Sequence, residues 1–377
     1  MPITHLLLCS VAIFFVLYAP QPLLAEFSEQ FMVSASDAGM LMSATMLPLA
    51  IAPICYGLIL AKSNPLKILK WTMLLLALSN LAFASVDSFS GLLLIRLIQG
   101  LLLPAALTAM TGYIGQQFSG TLLKTNMSLY IGSSIAGGYF GRTLAANFAV
   151  WFEWQSFYYL NALLLIVLAF SISASKNKPP IITATKIKDY LAPLKQARLV
   201  RLYSSIFCMF FCFAGLLNFL PFILKYDFKL TDPSKVGWVY TGYLVGALGS
   251  TITPWLQNRF QSTWQFLAIV FFIYATTIAL LPTASLVFFV LLFTLFCACM
   301  FVIHTTAAPL ANSISQAPAT VTNGAYVSFY YSGGVLGSYL PGLIYEYAGL
   351  NWFAVSLFAV CTLGLCLSLR NAIQPAR

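Results

Sequence analysis

Charge is what this chain of 377 residues has least of: Asp, Glu, Lys and Arg make up 7% of it, with nine acids and two histidines in all. Soluble domains carry roughly a quarter charged residues, so the composition excludes one. No Asp or Glu falls in the middle of an apolar run, which removes the usual carboxylate relay for protons. His5 and His304 supply no paired histidine ligands, and neither a Walker loop nor a dinucleotide glycine fingerprint occurs. Nothing therefore points to an enzyme, to a cofactor or to ATP as a driving force. The eight cysteines all lie in or beside apolar runs, which excludes a secreted disulfide framework. Cys208/Cys212 and Cys297/Cys299 lack third and fourth ligands at recognisable spacing, so no metal site is expected.

What is present is apolar surface: 60% hydrophobic residues, 15% aromatic, and a mean hydropathy of +0.88. Apolar runs fall at about 5–25, 38–60, 67–86, 89–112, 125–149, 155–175, 201–224, 237–257, 264–282, 285–309, 321–345 and 351–369. Twelve spans of roughly 20 residues use most of the chain and leave no room for a catalytic domain outside the bilayer. The predicted fold class is an all-α membrane protein of twelve transmembrane helices. The first run has no Lys or Arg ahead of it and exceeds a signal peptide's apolar core, so it is expected to be retained as a span.

If the N-terminus is inside, the outer junctions carry Glu26, Glu29, Asp37, Asp87, Glu153, Asp227, Asp232 and Glu346 against Lys225, Lys229 and Lys235. The inner loops and tail then hold fourteen of the nineteen bases against Asp189 alone. A Lys/Arg excess marks cytoplasmic loops, so both termini are expected in the cytoplasm. The net charge of +10 follows this placement and calls for no nucleic acid. A polar, basic stretch from Lys176 to Arg201 divides six spans from six, giving expected domains at 1–175 and 201–377 joined by a cytoplasmic linker at 176–200.

The halves repeat. An offset of 200 aligns Ser128 with Ser328, Tyr130 with Tyr330, Gly137 with Gly337 and Tyr139 with Tyr339, while Pro22 meets Pro221 at 199 and Gly39 meets Gly237 at 198. The shared offset over three helix pairs indicates two pseudo-symmetric six-helix bundles in parallel.

Two bases lie inside spans, Arg96 in the fourth and Arg142 in the fifth. An ionised side chain at mid-bilayer costs several kcal/mol, about 2.5–3.5 for Arg on insertion scales, so each is a candidate for holding an anionic group or tuning a neighbouring acid. Glu26, at the outer end of the first span, is expected to reach Arg96 if the first and fourth spans adjoin. His304 is the one other in-span group titrating near neutrality. Gln21, Gln99, Tyr130, Asn218, Tyr243, Tyr330 and Tyr331 offer stacking surface and hydrogen bonds for a cavity that takes an amphiphilic organic solute. Gly137/Gly141 and Gly333/Gly337, one turn apart, are expected at close helix contacts, with Gly100.

Twelve spans, a basic mid-chain loop and the run Leu92-x-x-x-Arg96-x-x-Gln99-Gly100 together resemble the major facilitator superfamily, whose fourth span commonly carries Arg-x-x-Gln-Gly in proton-coupled members. Tyr18-x-x-Gln21-Pro22-Leu23-Leu24 and Gly141-Arg142 are similar to the small bacterial drug-efflux branch. The resemblance implies a monomer in the bacterial inner membrane that exports a small organic compound against protons by alternating access. Gly57, Lys62 and Lys67 match that family's conformational loop after the second span, but Ala61 stands where its acid belongs and Asn64 where its second glycine belongs. The fifth span lacks the Gly-Pro pair of many antiporters. Import of a nutrient or siderophore-type chelate, and a sensing or scaffolding role without transport, stay open as alternatives.

Overall fold

The computed structural model describes residues 1–60, 63–172 and 192–373, and every regular element among them is helical. Twelve spans form two bundles of six. The first span is Ile3–Tyr18, a 3₁₀ turn Gln21–Leu23 and a helix Leu24–Gln30. Ala35–Leu60, Pro65–Ser85, Phe89–Gln117, Gly120–Trp151 and Trp154–Ser171 complete its bundle. The second bundle opens with Ala197–Tyr226, one turn earlier than the expected 201, and its eighth span is broken into Pro233–Val239, Thr241–Gly249 and Thr253–Gln257. Thr263–Leu280, Leu286–Ile314 and Ala319–Gly337 follow, and Leu340–Ile373 bends at Gly349 (φ 72°), where the eleventh span gives way to the twelfth. A residue with a Cβ is strained at that angle.

Local chemistry explains the ends and breaks. Pro20 and Pro22 have no N–H to give Val16 and Tyr18, so the first span cannot continue as a regular helix through them. The third span starts where the Asn64 side chain accepts from the N–H groups of Leu66 and Lys67, with Pro65 in the first turn. Lys67 is thus part of a capped helix start. Gly57 lies in the last turns of the second helix, and Lys62 and most of the predicted linker lie outside the described residues.

Among the described residues, nine of the spans are long and apolar enough to cross a membrane by composition; the fifth, eighth and eleventh are not among them. Each of those three has one face at the seam between the bundles. The fifth span packs on the eighth and the eleventh on the second, across the plane between the bundles. Gly237 lies on Thr143 and Ala146 of the fifth span, and Gly39 lies on the Ser338 backbone. Residues paired by the repeat thus occupy equivalent places at the two seams. Within each bundle the symmetry continues: Gly137 and Gly141 admit Val11, Phe14 and Phe15 of the first span, while Gly333 and Gly337 touch the backbone of Phe207 and Phe211 in the seventh. Gly100 rests on the backbone of Thr45.

The two ends of the molecule differ. Away from the termini one apolar cluster runs through both bundles, from Phe27, Phe83 and Trp154 to Phe219 and Phe353. Near the termini the first bundle has its own cluster around Leu69, Leu76, Leu103 and Met110. Contacts joining the bundles gather in the distal half. They include the ion pair Lys225–Glu29 at 2.6 Å, Tyr139 with Thr241 at 3.1 Å, Thr143 Oγ1 donating to Gly237 O at 3.3 Å, and Ser36 N donating to Glu346.

Candidate substrate site between the two bundles

The break in the first span brings Gln21 to the plane between the bundles, and the fifth span presents Arg142 to it. Arg142 is 1% exposed. Its Nε donates to Gln21 Oε1 and its Nη1 to Gly138 O at 2.7 Å. The guanidinium carbon sits 4.1 Å from the Tyr18 ring centroid, 4.7 Å from Tyr243 and 5.4 Å from Tyr240, distances at which the ring faces attract a cation. Gln21 Nε2 donates to Asn218 Oδ1 of the seventh span, and Asn218 Nδ2 to Ser338 Oγ of the eleventh at 2.6 Å. Ser338 donates to Gly334 O at 2.6 Å. One buried chain of polar groups therefore crosses from Arg142 through both bundles, each amide using its carbonyl on one side and its NH₂ on the other.

On the termini side of this chain a cavity of about 560 Å³ opens between the bundles. Pro53 and Tyr56 of the second span, Pro104 and Thr111 of the fourth, and Asn323, Val327 and Tyr331 of the eleventh wall it. Its size suits a small organic molecule, for which pockets run about 300–1,000 Å³. Tyr331 lies edge-to-face on Tyr330 at 5.1 Å, and Tyr330 stacks on Phe210 at 3.6 Å. Tyr243 and Phe301 extend the aromatic surface. His304 shares a hydrogen bond with Tyr326 at 2.9 Å, and its ring lies 5.2 Å from Tyr330. Tyr130 is buried in the first bundle's cluster, against which Tyr331 packs from the other side.

Arg96 occupies a different setting. It is fully buried and directs Nε to Leu41 O (3.1 Å), Nη1 to Val16 O (2.7 Å) and Gln99 Oε1 (2.7 Å), and Nη2 to Leu17 O (3.0 Å) and Met42 Sδ. Gln99 in turn donates to Asn80 at 3.1 Å. Pro20 leaves Val16 O without its helical donor, and Arg96 replaces that donor. The guanidinium thereby fastens the first-span break to the second and fourth spans. This corrects the expected pairing with Glu26: Arg96 meets carbonyls, while Glu26 lies near Lys225 with Oε2 buried and lacking a hydrogen-bond partner. The Tyr158 hydroxyl, also buried without a partner, is within electrostatic range of both.

Gln21, Arg142, Asn218, Tyr243, Tyr330 and Tyr331 are therefore brought together or onto one continuous surface, whereas Gln99 serves Arg96. Sequence reasoning did not select Tyr18, Tyr240 or Ser338. Tyr18 stands three residues before Gln21, and the repeat pairs Gly137/Gly337 and Tyr139/Tyr339 flank Ser338, so part of the signal was present. Tyr240 lies at the break of the eighth span, which hydropathy does not reveal.

The Major Facilitator Superfamily profile matches residues 6–338, and the chain belongs to this family. Among relatives, the MFS-type transporter YybF of Bacillus subtilis is 24% identical over 350 residues, covering 91% of this chain and 85% of that one. A transporter of Buchnera aphidicola subsp. Schizaphis graminum is 22% identical over 365 residues, covering 95% and 88%. Among solved structures, a bacterial homologue of the human lysosomal transporter Spinster, inward-facing and occupied, superposes with a TM-score of 0.79 at 15% identity, covering 98% of this chain and 96% of that one. The nucleoside transporter NupG gives 0.77 at 13% identity, covering 98% and 99%. The chain is an integral membrane transporter of this superfamily, and its fold and relatives point to transport and away from enzymatic chemistry.

Proposed function

We propose that this protein is a secondary active transporter that exports a small amphiphilic organic compound from the cytoplasm in exchange for protons. The observation that carries the reading is the cavity between the bundles, walled by the second, fourth and eleventh spans on the termini side of the Arg142–Gln21–Asn218–Ser338 chain. The Lys/Arg distribution supports termini in the cytoplasm, and on that orientation this conformation is the one that accepts solute from inside. Alternating access then requires the distal contacts to part while the bundles close over the cavity. Gln21, Asn218, Tyr243, Tyr330 and Tyr331 face the solute during this change, and Tyr130 and His304 support that surface. Glu26, whose buried Oε2 has no partner, supplies the protonatable group at the distal end, within reach of Lys225. Gly57 and Lys67, on the helices either side of the junction between the second and third spans, and Lys62 between them in the sequence mark the segment that changes with the conformation. The units that rock are 1–175 and 201–377, in a monomer of the bacterial inner membrane.

The test compares small molecules inside cells and in the medium, with and without the gene. A compound trapped inside the deletion strain supports export. A compound left unused in the medium reverses the direction, and no difference under any growth condition overturns transport.

A further inference from the structure

We propose that Arg142 forms an anion site and that the transported solute carries a carboxylate, seated on this guanidinium with its apolar body against the tyrosines. The proposal rests on the transporter reading above and names the class of solute.

Four observations carry it. First, Arg142 is a buried cation, and among the described residues no carboxylate stands against it. The first span offers Tyr18 and Gln21, the fifth Gly138, the eighth Tyr240 and Tyr243: ring faces, hydroxyls and two carbonyls, none with full negative charge. Burying such a charge unpaired is costly, and an anion relieves the cost. Second, the guanidinium has unused capacity. Arg96 directs its donors to three backbone carbonyls and Gln99, while Arg142 meets only the neutral groups of Gln21, Gly138 and Tyr243, fewer than its five N–H groups can serve. Its planar fork suits two carboxylate oxygens. Third, the aromatic side chains beside the site are not sealed off: Tyr18, whose ring faces Arg142, and Tyr331, which walls the cavity, are each only partly buried.

Fourth, an anion there has a mechanical consequence. Gln21 accepts from Arg142 and donates to Asn218, so it ties the bundles together through the same amide. A carboxylate that takes over Arg142 Nε releases the Gln21 carbonyl and loosens that tie. Occupation of the site thereby weakens the distal closure, which is the step that lets loaded carrier open outward.

The test uses full-length purified protein in detergent at neutral pH, with benzoate, indoleacetate and octanoate each set against its primary amide. At least one carboxylate raises the melting midpoint while its amide does not. Arg142→Gln weakens that carboxylate's apparent affinity by about ten- to a hundredfold, and Arg142→Lys retains part of it. Gln21→Glu supplies a carboxylate from the chain itself, so it raises the midpoint of the unliganded protein and abolishes the response to added carboxylates. Equal effects of acid and amide, an unchanged affinity in Arg142→Gln, or no response to any of the three carboxylates overturns the proposal. The two readings fail separately. If the cellular comparison finds a neutral or cationic solute, the anion site is wrong and transport stands; if it finds no solute, transport is wrong whatever the carboxylates do.

Discussion

Arg96 and Arg142 are equally hidden from solvent, yet Arg96 is surrounded by its own bundle and binds the carbonyls of Val16, Leu17 and Leu41, while Arg142, bonded to Gln21 and Gly138 of its own bundle, also faces the Tyr240 and Tyr243 rings of the other across the plane between them. Backbone carbonyls are permanent partners. They hold the first-span break in place within one bundle, since the first, second and fourth spans belong to the same half, and on the proposed alternating mechanism they keep it there whichever way the carrier faces. Side chains and ring faces from opposite halves are partners in one conformation only. A buried arginine in a membrane helix is therefore structural or functional according to whether the groups around it all belong to its own half or include some from the other.

The sharpest way to break this comparison is Arg96→Ala. It removes the bonds to the Val16, Leu17 and Leu41 carbonyls and to the Gln99 amide oxygen and leaves Val16 O without the donor that stands in for Pro20's missing N–H, a loss of the order of 3 kcal/mol or more. Lysine, a point charge on a flexible stem, fails to serve all of them, so Arg96→Lys falls short as well. Immunoblots of membranes and the melting midpoint should both show depletion, and wild-type values for Arg96→Ala would erase the distinction between the two arginines. Arg142→Gln is the converse: protein level within about twofold of wild type and a melting midpoint close to it, with solute flux lost. Loss of the protein itself in that variant would make Arg142 a second structural fastener.

Asn218→Ala is expected to act in between. It removes the hydrogen bonds to Gln21 and Ser338, each worth about 1 kcal/mol, and so shifts the conformational balance toward distal opening roughly tenfold per 1.4 kcal/mol. Distances between spin labels at the distal ends of the first and seventh spans would report the shift, and an unaltered distribution would remove this chain from the gate. The smallest effect belongs to Lys225→Ala. Its ion pair with Glu29 is partly exposed, with side-chain exposures of 23% and 53%, and exposed pairs contribute about 0–1 kcal/mol. The same label distances should move slightly, and less at high salt; a large, salt-independent change would place the closure in that ion pair and not in the buried chain.

Much of this architecture is readable from the chain. Span positions follow from apolar runs because an unpaired backbone group in lipid is too costly to leave. Gly39 and Gly237 occupy matching seams, as their common offset indicates. Arg142, Gln21 and Asn218 stand out because polar groups in apolar runs need partners. Which partners they find is not written locally. Arg96 and Glu26 share a region of the sequence-derived map, but the carbonyl freed by Pro20 lies nearer to Arg96 and takes its donor, leaving Glu26 to the distal face beside Lys225.

By itself the sequence determined that the protein crosses a bilayer as twelve helices in two related halves, since hydropathy and repeat spacing are properties of the chain alone. Only the tertiary structure decided which buried arginine is fastened and which is available. That choice depends on which helices meet across the interface and on how many donors each guanidinium has left after meeting the backbone.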